Sequence, residues 1–120
     1  MSRDHRTLRV FRIADGLVIA IYQATRTFPV EERYGLQAQV RRAAVSVATN
    51  IVEGCARRSD REYLNYLNIA TGSAAEMRYL CNVSHRLGFL ATERADDLEP
   101  RCRELVGSLV RLMDSVNPEC

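Results

Sequence analysis

The stretch R-Y-G-L-Q-A-Q-V-R-R-A-A-V-S-V-A-T-N-I-V-E-G, from residue 33 to residue 54, decides how this chain folds. Its apolar side chains return every three or four positions, as they do on one face of an α-helix, at Leu36, Val40, Ala43, Val47 and Ile51. Alanines are frequent between them, so a neighbouring helix can approach closely. We therefore predict a helix over residues 31–53, with Gly54 as a left-handed cap at its end.

Small and polar residues interrupt the faces of this helix and of the next one along the chain. A carboxylate on a packed helix face is costly unless it has a cationic or hydrogen-bonding partner. We therefore expect Glu53 and Glu76 to be held in a hydrogen-bonded network where the second and third helices meet. Gly72 is expected to permit close helix approach. The residues of this structural signature are Asn50, Glu53, Gly54, Gly72, Ser73 and Glu76.

Three further helices are predicted from the same apolar periodicity, over residues 7–26, 59–87 and 92–116. No strand-like alternation is present. Four long helices joined by short turns predict an all-α fold, an antiparallel up-down-up-down four-helix bundle. A chain of 120 residues is expected to form one domain over residues 1–120.

The predicted helix ends depend on a few residues with known capping preferences. Ser59 and Glu62 have the spacing of a capping box at the start of the third helix. Gly88 is placed to stop that helix, and Thr92 to cap the fourth. Pro100 lies inside the fourth pattern and is expected to kink or break it, because proline removes a backbone donor.

Composition and motifs argue for a cytoplasmic protein without a cofactor. No apolar run approaches the roughly 18 to 20 residues that span a membrane, and the charged N-terminus is unlike a signal peptide. We expect no membrane contact. The four cysteines lack C-x-x-C spacing and the chain has only two histidines, so reduced thiols are favoured over a metal site.

Charge is the clearest pointer to a partner. All 17 basic residues are arginine. Residues 1–61 carry eleven arginines against six acids, a charge of +5, whereas residues 62–120 carry six against nine, a charge of −3. This asymmetry either attracts an anionic polymer to one face or pairs the surfaces of neighbouring subunits. The candidate nucleic-acid-binding residues are Arg3, Arg6, Arg9, Arg12, Arg41, Arg42, Arg57, Arg58 and Arg61.

Catalysis has little support in the sequence. Arg78 and His85 fall seven apart, a spacing that resembles the R-x(4 to 6)-H element of HEPN-type ribonucleases. Tyr79 stands where that family usually has a small polar residue. No serine has a neighbouring base, and no glycine-rich phosphate loop is present. We expect no enzymatic activity.

Two segments together resemble the bacterial four helix bundle protein family: F-P-V-E-E-R-Y-G-L-Q-A-Q-V-R-R-A-A-V-S-V-A-T-N-I-V-E-G at 28–54 and I-A-T-G-S-A-A-E at 69–76. That family was first noticed as proteins encoded within intervening sequences of large-subunit ribosomal RNA genes. It is similar to the accessory variability determinant protein of diversity-generating retroelements. The resemblance implies an antiparallel four-helix protomer, a homopentameric ring and nucleic-acid binding through a basic surface, and it supplies no catalytic residues.

Three functional hypotheses follow in order of preference. The first is a non-enzymatic oligomer that binds RNA or a ribonucleoprotein through backbone phosphates, with Arg57, Arg58 and Arg61 as the cluster to change. The second is a protein–protein assembly or adaptor module without nucleic-acid binding, whose arginines face acids of the adjacent subunit. Those acids are Glu93, Asp96, Asp97 and Glu99. The third is a HEPN-like ribonuclease that depends on His85.

Overall fold

The computed structural model describes residues 3–116, which form four long helices and contain no strand. The helices are α1 (Arg9–Ala24), α2 (Leu36–Cys55), α3 (Asp60–Arg86) and α4 (Thr92–Ser115). Two short 3-10 turns, His5–Thr7 and Val30–Glu32, precede α1 and α2. The prediction of an all-helical fold is confirmed. Within the described range, no helix is both long enough and apolar enough to cross a membrane.

The four helices pack around one apolar core. Each helix contacts the next one along the chain, and α4 returns to contact α1. In three helix pairs, a residue nearer the end of one helix contacts a residue nearer the start of the other. These contacts are Ser46 with Ser73 and Gly54 with Tyr66 between α2 and α3, Arg78 with Glu99 and His85 with Thr92 between α3 and α4, and Arg9 with Glu104 and Gly16 with Arg101 between α1 and α4. Neighbouring helices therefore run in opposite directions.

The core is built from the predicted apolar stripes. Fully buried members from all four helices include Leu17, Ile21, Val47, Ile51, Leu67, Met77, Leu105 and Leu109. Cys55, Cys81 and Cys102 are buried free thiols, as expected for small apolar packing residues. Cys120, the fourth cysteine, lies outside the described residues.

Gly54 does not cap α2 as predicted but lies inside it. Its backbone is buried, and a Cβ atom there would lie 2.9 Å from Tyr66 Cβ and 3.3 Å from Tyr63 Cδ1. The glycine is therefore required by the close crossing of α2 and α3. The left-handed conformation belongs to Gly88, with φ of 82°, just beyond the end of α3 as predicted.

Three other helix-end predictions are wrong in part. The helix predicted to start at residue 31 begins at Leu36, because residues 30–32 form a separate 3-10 turn and Gly35 leaves helical geometry. Thr92 is the first residue of α4, whereas Ala91 is its cap. Pro100 does not break α4, which continues from Thr92 to Ser115. The predicted capping box is present, with Ser59 Oγ accepting from the Glu62 amide at 3.1 Å.

The expected network of Glu53 and Glu76 is not formed. Both side chains are exposed, and neither has an ion pair or hydrogen bond within residues 3–116. The reason is helical register. Glu53 follows buried Ile51 by two residues, and Glu76 follows buried Ala74 by two residues. A two-residue step turns about 200° around a helix, so both glutamates lie on the side opposite the buried residue. Gly72 is also exposed, with no atom near its missing Cβ, so it does not mediate close approach within the chain.

The polar contact that does join α2 and α3 involves smaller side chains. Ser46 Oγ and Ser73 Oγ are 2.8 Å apart. Asn50 Nδ2 donates to the Ser46 carbonyl at 2.8 Å and to Ser46 Oγ at 3.1 Å. Asn50 and Ser73 therefore belong to the seam, whereas Glu53, Gly72 and Glu76 are exposed outside it.

Candidate nucleic-acid interface

A concave surface lies where α1 ends and α2 begins. It is an open groove of about 730 Å³, formed by the last turn of α1, the connecting segment and the first turns of α2. We call it the Arg–Tyr groove. Its lining residues are Tyr22, Arg26, Phe28, Val30, Arg33, Tyr34, Gln37, Ala38, Arg41, Arg42 and Val45. No acidic side chain of the described residues lines it.

Thr25 fixes one wall of the Arg–Tyr groove. Its buried hydroxyl donates to the Ile21 carbonyl at 2.8 Å and accepts from Arg41 Nε at the same distance of 2.8 Å. The Thr25 carbonyl accepts from Gln37 Nε2 at 3.0 Å. Side chains of α2 thus bind the carboxyl end of α1, where carbonyls lack helical partners. The two helices are held together at the base of the groove.

The connecting segment is anchored at both ends. Phe28 is buried and lies against Phe89 beyond α3, with ring centroids 6.1 Å apart. Glu32 Oε1 accepts from the Leu36 amide at 2.9 Å and so satisfies one free donor at the start of α2. These contacts hold the segment that carries Arg33 and Tyr34.

Three arginines of the Arg–Tyr groove present free charge. Arg26, Arg33 and Arg42 are exposed, and none forms an ion pair within residues 3–116. The fourth, Arg41, is half-buried and is engaged by Thr25 and by the Tyr22 carbonyl. A concave surface lined by one sign of charge raises the local concentration of oppositely charged ligands.

The N-terminal arginines predicted as phosphate contacts are bound within the chain. Arg3 pairs with Asp60 at 2.6 Å, Arg6 with Asp4 at 3.0 Å, and Arg9 with Glu104. Hydrogen bonds from Arg6 lower the pKa of the Asp4 carboxyl below its ordinary value. Arg12 donates to the Arg6 carbonyl at 3.3 Å.

The 57–61 cluster is divided between engaged and exposed side chains. Arg57 donates to the Tyr66 hydroxyl at 2.9 Å, and its guanidinium lies 4.9 Å from the centre of the Tyr66 ring. Arg58 also takes part in an interaction within the chain. Arg61 is exposed. That these arginines bind nucleic acid stays a prediction.

Arg78 and His85 have separate partners on α4. Arg78 donates hydrogen bonds to both carboxylate oxygens of Glu99, with Nη2 at 2.6 Å from Oε2. These hydrogen bonds lower the pKa of Glu99. His85 Nε2 lies 3.3 Å from Thr92 Oγ1. Glu99 therefore neutralises the arginine of the ribonuclease-like pair. Among the described residues, no group of histidine, cysteine or acidic side chains could hold a metal ion.

Sequence reasoning found Arg41 and Arg42 but missed the other side chains of the groove. Arg26, Arg33, Tyr22 and Tyr34 are separated along the chain and meet only because α1 and α2 form a hairpin. A usable signal was present: tyrosine and arginine recur together between residues 22 and 42.

The fold and the groove define a small all-helical protein with a basic, aromatic-containing surface. A model of the 23S rRNA-intervening sequence protein family matches residues 6–111. The chain belongs to this family, in agreement with the resemblance seen in the sequence.

One solved structure gives an independent comparison of the fold. It is a protein of unknown function from the S23 ribosomal protein family of Bacteroides thetaiotaomicron. The TM-score is 0.81 at 20% sequence identity, and the similarity covers 88% of this chain and 96% of that chain. At this identity the similarity shows the fold alone. No curated protein matches the chain.

Proposed function

We propose that this protein is a non-enzymatic, homo-oligomeric RNA-binding protein of the cytoplasm, and that the Arg–Tyr groove contacts RNA phosphates. The observation that carries the proposal is the absence of any ion pair to Arg26, Arg33 and Arg42 within residues 3–116. The family is named for an intervening sequence of 23S rRNA, which makes RNA the first polyanion to test.

The physical basis is charge neutralisation with release of counterions. A guanidinium binds phosphate through two parallel hydrogen bonds. An arginine without an ion pair can form them without first breaking a contact to a carboxylate. Each neutralised phosphate contributes about 0.7 to 0.9 to the slope of log K against log salt. The three free arginines together therefore account for a slope of roughly 2 to 3.

A salt titration tests this proposal. Binding of a fluorescently labelled RNA hairpin is measured by anisotropy between about 50 and 200 mM salt, where phosphate-dominated binding changes steeply. The test variant carries Arg26→Gln, Arg33→Gln and Arg42→Gln. We expect weaker binding and a salt slope smaller by roughly 2 to 3 than that of the wild type.

The matched control changes three exposed arginines outside the groove that form no ion pair within residues 3–116, as Arg86→Gln, Arg94→Gln and Arg111→Gln. It alters net charge by the same amount and keeps the groove intact, so its salt slope should stay near the wild-type value. Equal loss in both triple variants would show only non-specific charge attraction. No binding by the wild type at about 50 mM salt, where such contacts are strong, rejects the proposal.

Self-assembly is the second part of the proposal, as the homopentamer that the family resemblance implies. Its support is the outward face of α3. Ile69 is 53% exposed and Tyr79 is 63% exposed, on the same helix as exposed Gly72 and Glu76. Apolar side chains on a helix face that packs against nothing within the chain are typical of a surface that a partner covers.

Analytical ultracentrifugation tests the assembly. We expect a species of five chains for the wild type and a smaller one for Ile69→Asp, with Asn68→Asp as a control of equal charge on an adjacent exposed position. A monomeric wild type contradicts assembly. The groove triple variant tests the adaptor hypothesis: if the wild type binds no RNA and the triple variant loses assembly, the groove arginines pair with acids of another subunit.

A further inference from the structure

The phosphate contacts proposed above do not use the two tyrosines of the Arg–Tyr groove, Tyr22 and Tyr34. Tyr34 is 88% exposed and Tyr22 is 41% exposed. Both line the groove together with Arg33 and Arg42. Large aromatic side chains that remain in water beside free arginines are the combination with which proteins hold unpaired bases and their phosphates.

Tyr22 is held in a fixed orientation. The Arg41 guanidinium lies 4.4 Å from the centre of the Tyr22 ring, and its Nη2 donates to the Tyr22 carbonyl at 3.3 Å. Arg41 is itself held by its hydrogen bond to Thr25. One face of the Tyr22 ring is therefore occupied by a cation that the fold has positioned, and this pair forms a rigid side of the groove.

Tyr34 differs because its ring is unoccupied. Within residues 3–116, no aromatic ring and no guanidinium stacks on it. Its backbone is nonetheless fixed, since Gly35 donates to the Glu32 carbonyl at 3.0 Å and Glu32 holds the start of α2. Tyr34 is thus a free stacking surface on an anchored segment, directly after Arg33.

We propose that the Arg–Tyr groove binds an unpaired, single-stranded segment of RNA, with a base stacked on Tyr34 and the flanking phosphates on Arg33 and Arg42. This inference rests on the proposed function and adds the form of RNA that the groove selects. A duplex offers phosphates to the arginines, but its bases are stacked on each other and present no free face. The groove volume of about 730 Å³ is within the range of small-molecule sites, so a nucleotide fits in it.

The test compares two RNAs with strands of about 12 nucleotides, a length within the site sizes of single-strand-binding folds. One is an unstructured single strand and the other is a matched duplex. Tyr34→Leu keeps an apolar side chain but removes the stacking ring, and Tyr34→Phe restores the ring. We expect Tyr34→Leu to weaken single-strand binding by about 5- to 140-fold, with Tyr34→Phe near wild type and duplex binding unchanged.

The possible results separate this inference from the proposed function. If RNA binds and Tyr34→Leu binds the single strand as tightly as the wild type, the stacking inference is wrong while the phosphate-binding proposal stands. If neither RNA binds, both fail. A free nucleoside monophosphate is the third ligand: if it competes as effectively as the single strand, the groove is a mononucleotide site and the inferred RNA segment is wrong.

Discussion

Arginine is concentrated both near the N-terminus and around the Arg–Tyr groove, and the fold uses it differently in the two regions. Arg3, Arg6 and Arg9 each pair with an acid of the same chain. Arg26, Arg33 and Arg42 have no such pair within the described residues. The number of arginines in a segment therefore does not decide whether the segment can bind an anion. What decides this is whether the fold places acidic side chains beside those arginines.

The largest expected effect is on RNA affinity when equal charge is removed from the two regions. Arg33→Gln with Arg42→Gln should weaken binding roughly 20- to 30-fold, at about 1 kcal/mol for each lost contact. Arg6→Gln with Arg9→Gln should change affinity by less than about threefold, because distant surface charges are screened by salt. Anisotropy titrations of both variants check this. Equal losses would remove the distinction between the regions.

Two glycines extend the comparison from charge to packing. Gly54→Ala places a methyl group 2.9 Å from Tyr66 Cβ, so we expect a net loss of about 1 to 2 kcal/mol in unfolding free energy despite the better helix propensity of alanine. At Gly72 the added methyl group would contact no other helix of the chain, so Gly72→Ala should raise the unfolding free energy by up to about 1 kcal/mol. Urea unfolding measures both. A stabilised Gly54→Ala would contradict the close crossing of α2 and α3.

Adjacent arginines give a finer test. Arg41→Lys keeps the charge but removes the Nε donor to Thr25, so it should lower the unfolding free energy by about 1 kcal/mol. Arg42 is exposed, so Arg42→Lys should change the unfolding free energy by less than about 0.5 kcal/mol. Thermal unfolding of the two variants side by side is the measurement. If they are equally stable, Arg41 does not hold the wall of the groove.

The smallest expected effect is a pH dependence confined to the paired region. Arg6 lowers the pKa of Asp4 in the folded chain, so this pair contributes stability above the ordinary aspartate pKa of about 4. That contribution is lost as pH falls through the folded-state pKa. Asp4→Asn should therefore be slightly less stable than the wild type near neutral pH and equal to it in strong acid. A difference that persists on acidification would assign the effect to something other than charge.

The helices were predictable because their signals are local. Apolar residues at three- and four-residue spacing gave the four helices, the Ser59–Glu62 spacing gave the start of α3, and Gly88 gave its end. The role of Gly54 was not predictable in this way. A glycine near a helix end fits both a cap and a close crossing, and only the position of Tyr66 on the neighbouring helix decides between them.

The binding surface was only partly predictable, because it depends on contacts between distant residues. Arg41 and Arg42 stood out as adjacent cations, but only the fold shows that Arg41 is engaged by Thr25 while Arg42 is free. Glu53 and Glu76 do not form the predicted network, because the register of buried Ile51 and Ala74 turns both glutamates outward. Apolar periodicity locates a helix more reliably than it orients the polar residue beside the stripe.

Arginine footprinting tests the central claim most directly. The protein is treated with phenylglyoxal with and without bound single-stranded RNA, and modification at each arginine is measured by mass spectrometry. We predict that RNA protects Arg26, Arg33 and Arg42 and leaves the modification of Arg6 and Arg9 unchanged. Protection of Arg6 and Arg9 with continued modification of the groove arginines would contradict the account.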